Sequence, residues 1–235
     1  MVAAIHKSLD WMLESDCCLR ETEPSGGMSR IALERWQAAC RSVGIEDAEH
    51  EYRRVLRAWS SMGRRYHTLE HLNACLLELD AAQGLAQHVG EVELALWFHD
   101  AVYRTWARDN ETKSAAWAER FLNGAGVPAT QVTRVRKHVL ATAHHELPLG
   151  GDTALVVDID LSILGQPDAV YDAFEANVRR EYWWVPRSRY VAARRRVLES
   201  FIARPTIYHW PLFRDRYDAA ARRNIGRALE RLATR

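Results

Sequence analysis

The chain has 235 residues, 48% of them hydrophobic and 27% charged, with a formal net charge of +1. These values exclude a collagen-like or compositionally disordered chain. They leave enough length for one sizeable core, with two small domains as the alternative.

Residues 22–29 (TEPSGGMS) are the one linker-like stretch. They set an N-terminal extension over 1–27 apart from a single helical domain over 28–235. Ser29 is placed to cap a first helix that runs through Trp36 to about Val43 and stops at Gly44. Asp47 caps a second, with Tyr52, Val55, Leu56 and Trp59 at helical spacing. A third runs from near His67 to Gln83, and its Leu69, Leu72, Leu76 and Leu79 follow 3- and 4-residue steps. A fourth covers about 90–104. Asp109 or Asn110 caps a fifth that ends near Gly124. Pro128 stands in the first turn of a sixth that reaches about His144. Residues 152–164 contain the strand-like run Ala-Leu-Val-Val, yet a helix is expected there because everything around it is helical. Further helices fit 167–183, 187–203 and 211–233. The fold class is all-α.

Charges interrupt every apolar run before the roughly 18 residues of a membrane span, so no membrane partner is expected. No basic segment followed by an apolar run marks a signal peptide. Cysteines stand at 17, 18, 40 and 75 without a C-x-x-C pair, and the adjacent pair suits no ordinary disulfide. A reduced, cytoplasmic compartment is the expectation. The near-neutral total hides an asymmetry: residues 170–235 carry 15 Lys+Arg against 7 Asp+Glu. All of these cations are arginine, which suits bidentate contact with phosphate, although a solvated helical face explains each cluster as well.

Four local features carry candidate chemistry: Tyr66-His67-Thr68-Leu69-Glu70-His71, Trp97-Phe98-His99-Asp100, Ala143-His144-His145-Glu146 and Asp158-Ile159-Asp160-Leu161. His67 and His71, four apart, share one face of a helix and can converge on one metal or on a metal and its substrate. Asp100 follows a buried aromatic run, where an ionised carboxylate is costly unless paired or metal-bound. Arg104 is the ordinary partner for it. Imidazole with carboxylate is the donor mix for Mn, Fe, Co, Ni or Zn. Asp158 and Asp160 lie about 200° apart on a helix, so one at most faces a given site.

His71, His99-Asp100 and Asp160, in this order, resemble the signature of the HD phosphohydrolase superfamily. The phrases RRYHTLEHL, WFHDAVY, DNETKSA, ATAHH, DIDLSILG, VRREY and ARRNI resemble a bacterial group of metal-dependent HD phosphohydrolases of unassigned substrate. The resemblance spans roughly residues 30–232. It implies an HD-like helical bundle that binds a divalent ion (Mn, Fe, Ni, Co, Zn or Mg) through His71, His99, Asp100 and Asp160. Asp160 is preferred to Asp158 because Ile159-Asp160-Leu161 matches the superfamily's last-ligand slot. His67 matches the position that protonates the leaving oxygen in cyclic-nucleotide phosphodiesterases. Asn110 and Glu111 match the region where related enzymes place an acid near the attacking water. Arg64 leads the candidates to hold phosphate oxygens, ahead of Arg179 and Arg222. His145, with His138 seven residues before it, is a candidate for a second ion or for the substrate. The implied substrate is a phosphorylated small molecule, a nucleotide above all.

Three rival readings stand beside this one. His67-Thr68-Leu69-Glu70-His71 fits the inverted zincin pattern H-x-x-E-H, with Glu70 as the base of a peptidase. The basic C-terminal third, with Arg194-Arg195-Arg196, Trp183, Trp184, Tyr190 and Trp210, suggests nucleic-acid contact. The chain is also compatible with a catalytically weak nucleotide sensor.

Overall fold

A computed structural model describes residues 30–143 and 150–234. Every regular element among them is helical: α1 (Leu33–Arg41), α2 (Glu49–Trp59), α3 (Leu69–Ala82), α4 (Val89–Phe98), α5 (Asn110–Gly124), α6 (Ala129–Ala141), α7 (Gly151–Leu161), α8 (Asp168–Glu181), α9 (Arg187–Ile202), α10 (Pro211–Phe213) and α11 (Ala219–Ala233). A 3-10 turn, Ser162–Gly165, extends α7, and a π-helical turn, Arg214–Asp218, joins α10 to α11. No described helix is long and apolar enough to cross a membrane.

α4 and α7 are apolar on nearly every side, and that pattern requires burial all round. α4 therefore runs through the middle, touching α1, α3, α5, α6 and α7, and α7 packs on α3, α4 and α6. An aromatic cluster fixes one side of α4. Trp36 lies edge-on to Trp97 at 5.3 Å and tilts against Phe98 at 5.9 Å. All three buried indoles in this region find acceptors: Trp36 Nε1 donates to Ala48 O and Trp59 Nε1 to Trp97 O, each at 2.9 Å, and Trp97 Nε1 to Glu93 Oε1 at 3.4 Å. Satisfied this way, large rings bury their area without leaving an N–H unpaired.

α11 closes the molecule against α8, α9 and the 3-10 turn. Gly165 makes this closure possible: a Cβ there would stand 2.5 Å from Tyr217 Cβ. Asp158, fully buried on α7, accepts N–H bonds from His209 and Trp210 at 2.7–3.0 Å and pairs with His209 Nδ1 at 2.8 Å. One carboxylate thus anchors the whole segment that leads into α10.

Several expected boundaries shift, each for a local reason. α3 begins at Leu69 because the Thr68 hydroxyl caps it, accepting from Glu70 N, so His67 precedes the helix and does not share its face with His71. α4 ends at Phe98 rather than near 104, and α6 ends at Ala141. Pro128 is the cap residue before α6 instead of its first turn. Asp47 does bond a first-turn N–H of α2, Glu49 N at 3.3 Å, although Ala48 is the boundary residue. Residues 152–164 are helical. Ser29, the 1–27 extension, Cys17, Cys18, His144 and His145 lie outside the described residues.

Candidate metal centre

Three helices bring the centre together. α3 supplies His71 from its first turn. α4 supplies His99 at its C-terminal boundary, and Asp100 follows in the turn. Because the helix stops there, the two neighbouring side chains are not forced onto separate faces. α7 supplies Asp160, while Asp158 two residues earlier points to the other side.

The rings are held from behind. The Tyr66 hydroxyl stands 3.0 Å from His71 Nδ1, and His99 Nδ1 stands 2.8 Å from Leu96 O. A carbonyl only accepts, so His99 Nδ1 carries a proton and donates it. Both rings then turn Nε2 inward, the arrangement that outer partners impose on metal-binding histidines. His71 Nε2 lies 3.2 Å from His99 Nε2 and 3.1 Å from Asp160 Oδ1. His99 Nε2 lies 3.3 Å from Asp100 Oδ2 and 3.6 Å from Asp160 Oδ1. Ligands about 2.1 Å from one ion stand about 3.0–3.4 Å apart at octahedral or tetrahedral angles, so most of these separations match the edges of a coordination shell.

Cys75, one turn after His71, adds a sulfur 3.8 Å from His71 Nε2. The ligand atoms of His71, Cys75, His99 and Asp160 all lie within 4.8 Å of one another. This mostly buried group could hold a metal ion, and its nitrogen, oxygen and sulfur donors suit a borderline transition ion. Burial alone lowers the pKa of both imidazoles. For His71 burial prevails and the pKa stays low. For His99 the Asp100 and Asp160 carboxylates override burial and raise it well above the ordinary histidine value. Burial would raise Asp100 too, but His99 and His67 hold its carboxyl far below the usual range. Burial pushes the Cys75 thiol well up.

His67 stands at the edge of the centre, its Nε2 3.9 Å from Asp100 Oδ2. Its Nδ1 is 2.7 Å from Glu181 Oε2, and its ring stacks on Tyr103 at 4.0 Å. Glu181, buried at the end of α8, also accepts from the backbone N–H groups of Arg65, Tyr66 and His67 and from the Tyr103 hydroxyl. Burial works against its charge, yet His67 and these donors lower its pKa to about 2. The ionised Glu181 and Asp100 in turn raise the His67 pKa against the effect of burial.

A cavity of about 340 Å³ opens onto this group. His67, His99, Asp100, Asp160 and Glu111 line it. Other candidate residues stand in different surroundings from those expected. Arg64 is buried and donates to Ser61 Oγ, His67 O, Asp100 O and Ala101 O, so it clamps the two ligand-bearing turns together and does not line the cavity. Asn110 is fully buried and closes the preceding loop through both Arg104 N and Arg104 O. Arg179 donates to Tyr182 O and Val185 O, and Arg222 to Asp218 and three carbonyls. Asp100 pairs with histidines, and Arg104 is exposed. His138 turns Nδ1 to Thr153 Oγ1, and His145 lies outside the described residues. Glu70 is exposed while His71 is buried, which separates the two elements an inverted zincin needs. In the basic cluster, Arg194 is buried against Glu175, Arg195 pairs with Glu199 and Tyr190 is buried.

Cys75 and Glu181 belong to the centre's surroundings but to none of the sequence motifs. Cys75 carried a signal in its i+4 spacing from His71. Glu181 lies 114 positions from His67, beyond any local pattern.

No protein-family model, no curated protein and no solved structure matches this chain. The described residues form an all-helical protein whose central helices bring His71, Cys75, His99 and Asp160 into one group that could hold a metal ion.

Proposed function

We propose that the protein is a metal-dependent phosphohydrolase of the HD type, cleaving a phosphate ester or anhydride, nucleotides included. The observation that carries this reading is the convergence of His71, His99 and Asp160, with Asp100 beside His99, next to a cavity sized for a small molecule that His99, Asp100 and Asp160 line. A divalent ion held there would polarise a phosphoryl oxygen and lower the pKa of a bound water toward about 7. The chain's own groups have matching roles. His67, fixed through Nδ1 by Glu181, presents Nε2 toward Asp100 and the cavity as the proton donor for the leaving oxygen. Glu111 stands in the cavity wall where it can orient water. Tyr66 and Leu96 O keep the two ligand rings aimed inward.

Elemental analysis of the purified full chain and of Asp100→Ala tests the reading, together with phosphate release from a panel of esters after re-addition of single divalent ions. Stoichiometric metal and metal-dependent phosphate release, both lost in Asp100→Ala, are expected. His67→Ala should keep the metal and slow turnover by roughly 10²–10⁴. Absence of metal under all conditions would overturn the proposal.

A further inference from the structure

We infer that Tyr66 binds the substrate as well as orienting His71: with an ion on His71, the Tyr66 hydroxyl donates to a phosphoryl oxygen in the cavity. The inference rests on the phosphohydrolase reading and adds a contact to its site. The two histidines are held from behind by unlike partners. Leu96 O only accepts, so His99 Nδ1 must donate to it at 2.8 Å. The Tyr66 hydroxyl, 3.0 Å from His71 Nδ1, is able to donate or to accept. Which it does depends on the far side of the His71 ring. A neutral imidazole carries one proton. A His71 that ligates through Nε2 keeps this proton on Nδ1 and donates it to the Tyr66 oxygen. No group changes charge in this assignment.

The hydroxyl hydrogen of Tyr66 then has no acceptor at His71. Conjugation keeps a phenolic O–H near the plane of its ring, and with one direction taken by the incoming N–H the opposite one remains. Among the described residues, His71 is the one hydrogen-bond partner of this hydroxyl. Tyr66 lines the cavity together with His67, His99, Asp100 and Asp160, so a ligand held there can supply the acceptor. Burial first, then the Asp160 carboxylate, raise the Tyr66 pKa well above the ordinary tyrosine value, and the hydroxyl keeps its proton. Three other hydroxyls of the lining are committed to protein acceptors. Tyr103 donates to Glu181 Oε2 at 2.9 Å, Thr142 to Val139 O at 2.8 Å and Ser200 to Val197 O at 2.7 Å. A phosphoryl group beside the ion presents charged oxygens, and a hydrogen bond to a charged acceptor is the stronger kind. The ion and the anion are thereby coupled through one side chain: filling Nε2 of His71 frees the donor that the phosphoryl group uses.

The test uses full-length protein saturated with zinc, its loading checked by elemental analysis, and inorganic phosphate as the ligand. Tyr66→Phe keeps the ring and removes only the hydroxyl. His71 loses its acceptor, so zinc affinity should fall about tenfold or more, which excess zinc makes good. At full loading the variant should still bind phosphate about tenfold or more less tightly than wild type. Equal phosphate affinity of the two loaded proteins would leave Tyr66 an orienting group only and overturns the inference. Fluorine NMR of zinc-loaded wild type carrying fluorotyrosine reads the same contact with the hydroxyl in place. The Tyr66 signal, assigned by its absence from Tyr66→Phe, should move when phosphate is added; a stationary signal also overturns the inference. Metal-dependent ester hydrolysis with equal phosphate affinities removes the inference alone. Phosphate binding that depends on Tyr66, without hydrolysis of any ester, removes the phosphohydrolase reading and keeps the contact. No phosphate binding by zinc-loaded wild type removes both.

Discussion

Two carboxylates on one helix make the instructive comparison. Asp158 and Asp160 stand two residues apart on α7, one facing the C-terminal helices and the other the candidate centre. Asp158 is met by two backbone N–H groups and an imidazole, a set that matches a carboxylate's capacity in place. Asp160 meets the Nε2 atoms of two histidines that also face each other. The first arrangement is complete as folded. The second gathers several electron pairs around one point, a set that could hold a cation. Burial alone therefore does not distinguish a structural acid from one placed to bind an ion; the kind of partner does.

The largest test of that contrast is Asp160→Asn. It should weaken metal affinity by more than about 100-fold while changing the stability of metal-free protein little, read by elemental analysis and urea denaturation side by side. Asp158→Ala should do the opposite. Removing a buried carboxylate that pairs an imidazole and two N–H groups should cost about 3–5 kcal/mol, with metal content per folded molecule unchanged. Equal effects of the two variants on metal and stability would erase the distinction.

His138 sharpens the comparison on the next helix. Burial lowers its pKa from 6.5 to about 4, against the pull of Asp152 and Glu91. The unfolded chain binds the proton first, so this contribution is fully present above about pH 6.5 and is lost as pH falls toward 4. The loss amounts to about 3 kcal/mol. Denaturation at neutral and mildly acidic pH should show wild type losing this increment relative to His138→Gln; parallel curves would dismiss it. The smallest effect belongs to Arg195→Ala. It breaks an exposed Arg195–Glu199 pair and should change stability by no more than about 0.5 kcal/mol.

Much of the helical framework was legible in the sequence, because leucine spacing in α3 and the apolar runs of α4 and α7 follow helical rules. The choice of Asp160 over Asp158 came from resemblance; the two side chains point to different sides, Asp160 toward His71 and Asp158 toward His209. Less legible were features set by distant contacts. The early end of α4 allows His99 and Asp100 to meet. Arg64 and Asn110, polar and near the motifs, looked like ligand-facing groups, but both bind backbone. Glu181 reaches His67 across more than a hundred residues, and no local pattern announces such a pairing.

In polymer terms the candidate centre is a cross-link. His71 and His99 are 28 positions apart, and Asp160 lies in a helix contributed much later in the chain. An ion bridging them would close two loops that the unfolded chain leaves open, and loop closure resists unfolding more as the loops lengthen. Bound at 1,000 times its dissociation constant, the ion would add about 4 kcal/mol to the folded state. Melting temperature would then become a titratable quantity, rising with free ion and falling with chelator. The same atoms proposed to hold the catalyst would be a removable fastener of the fold.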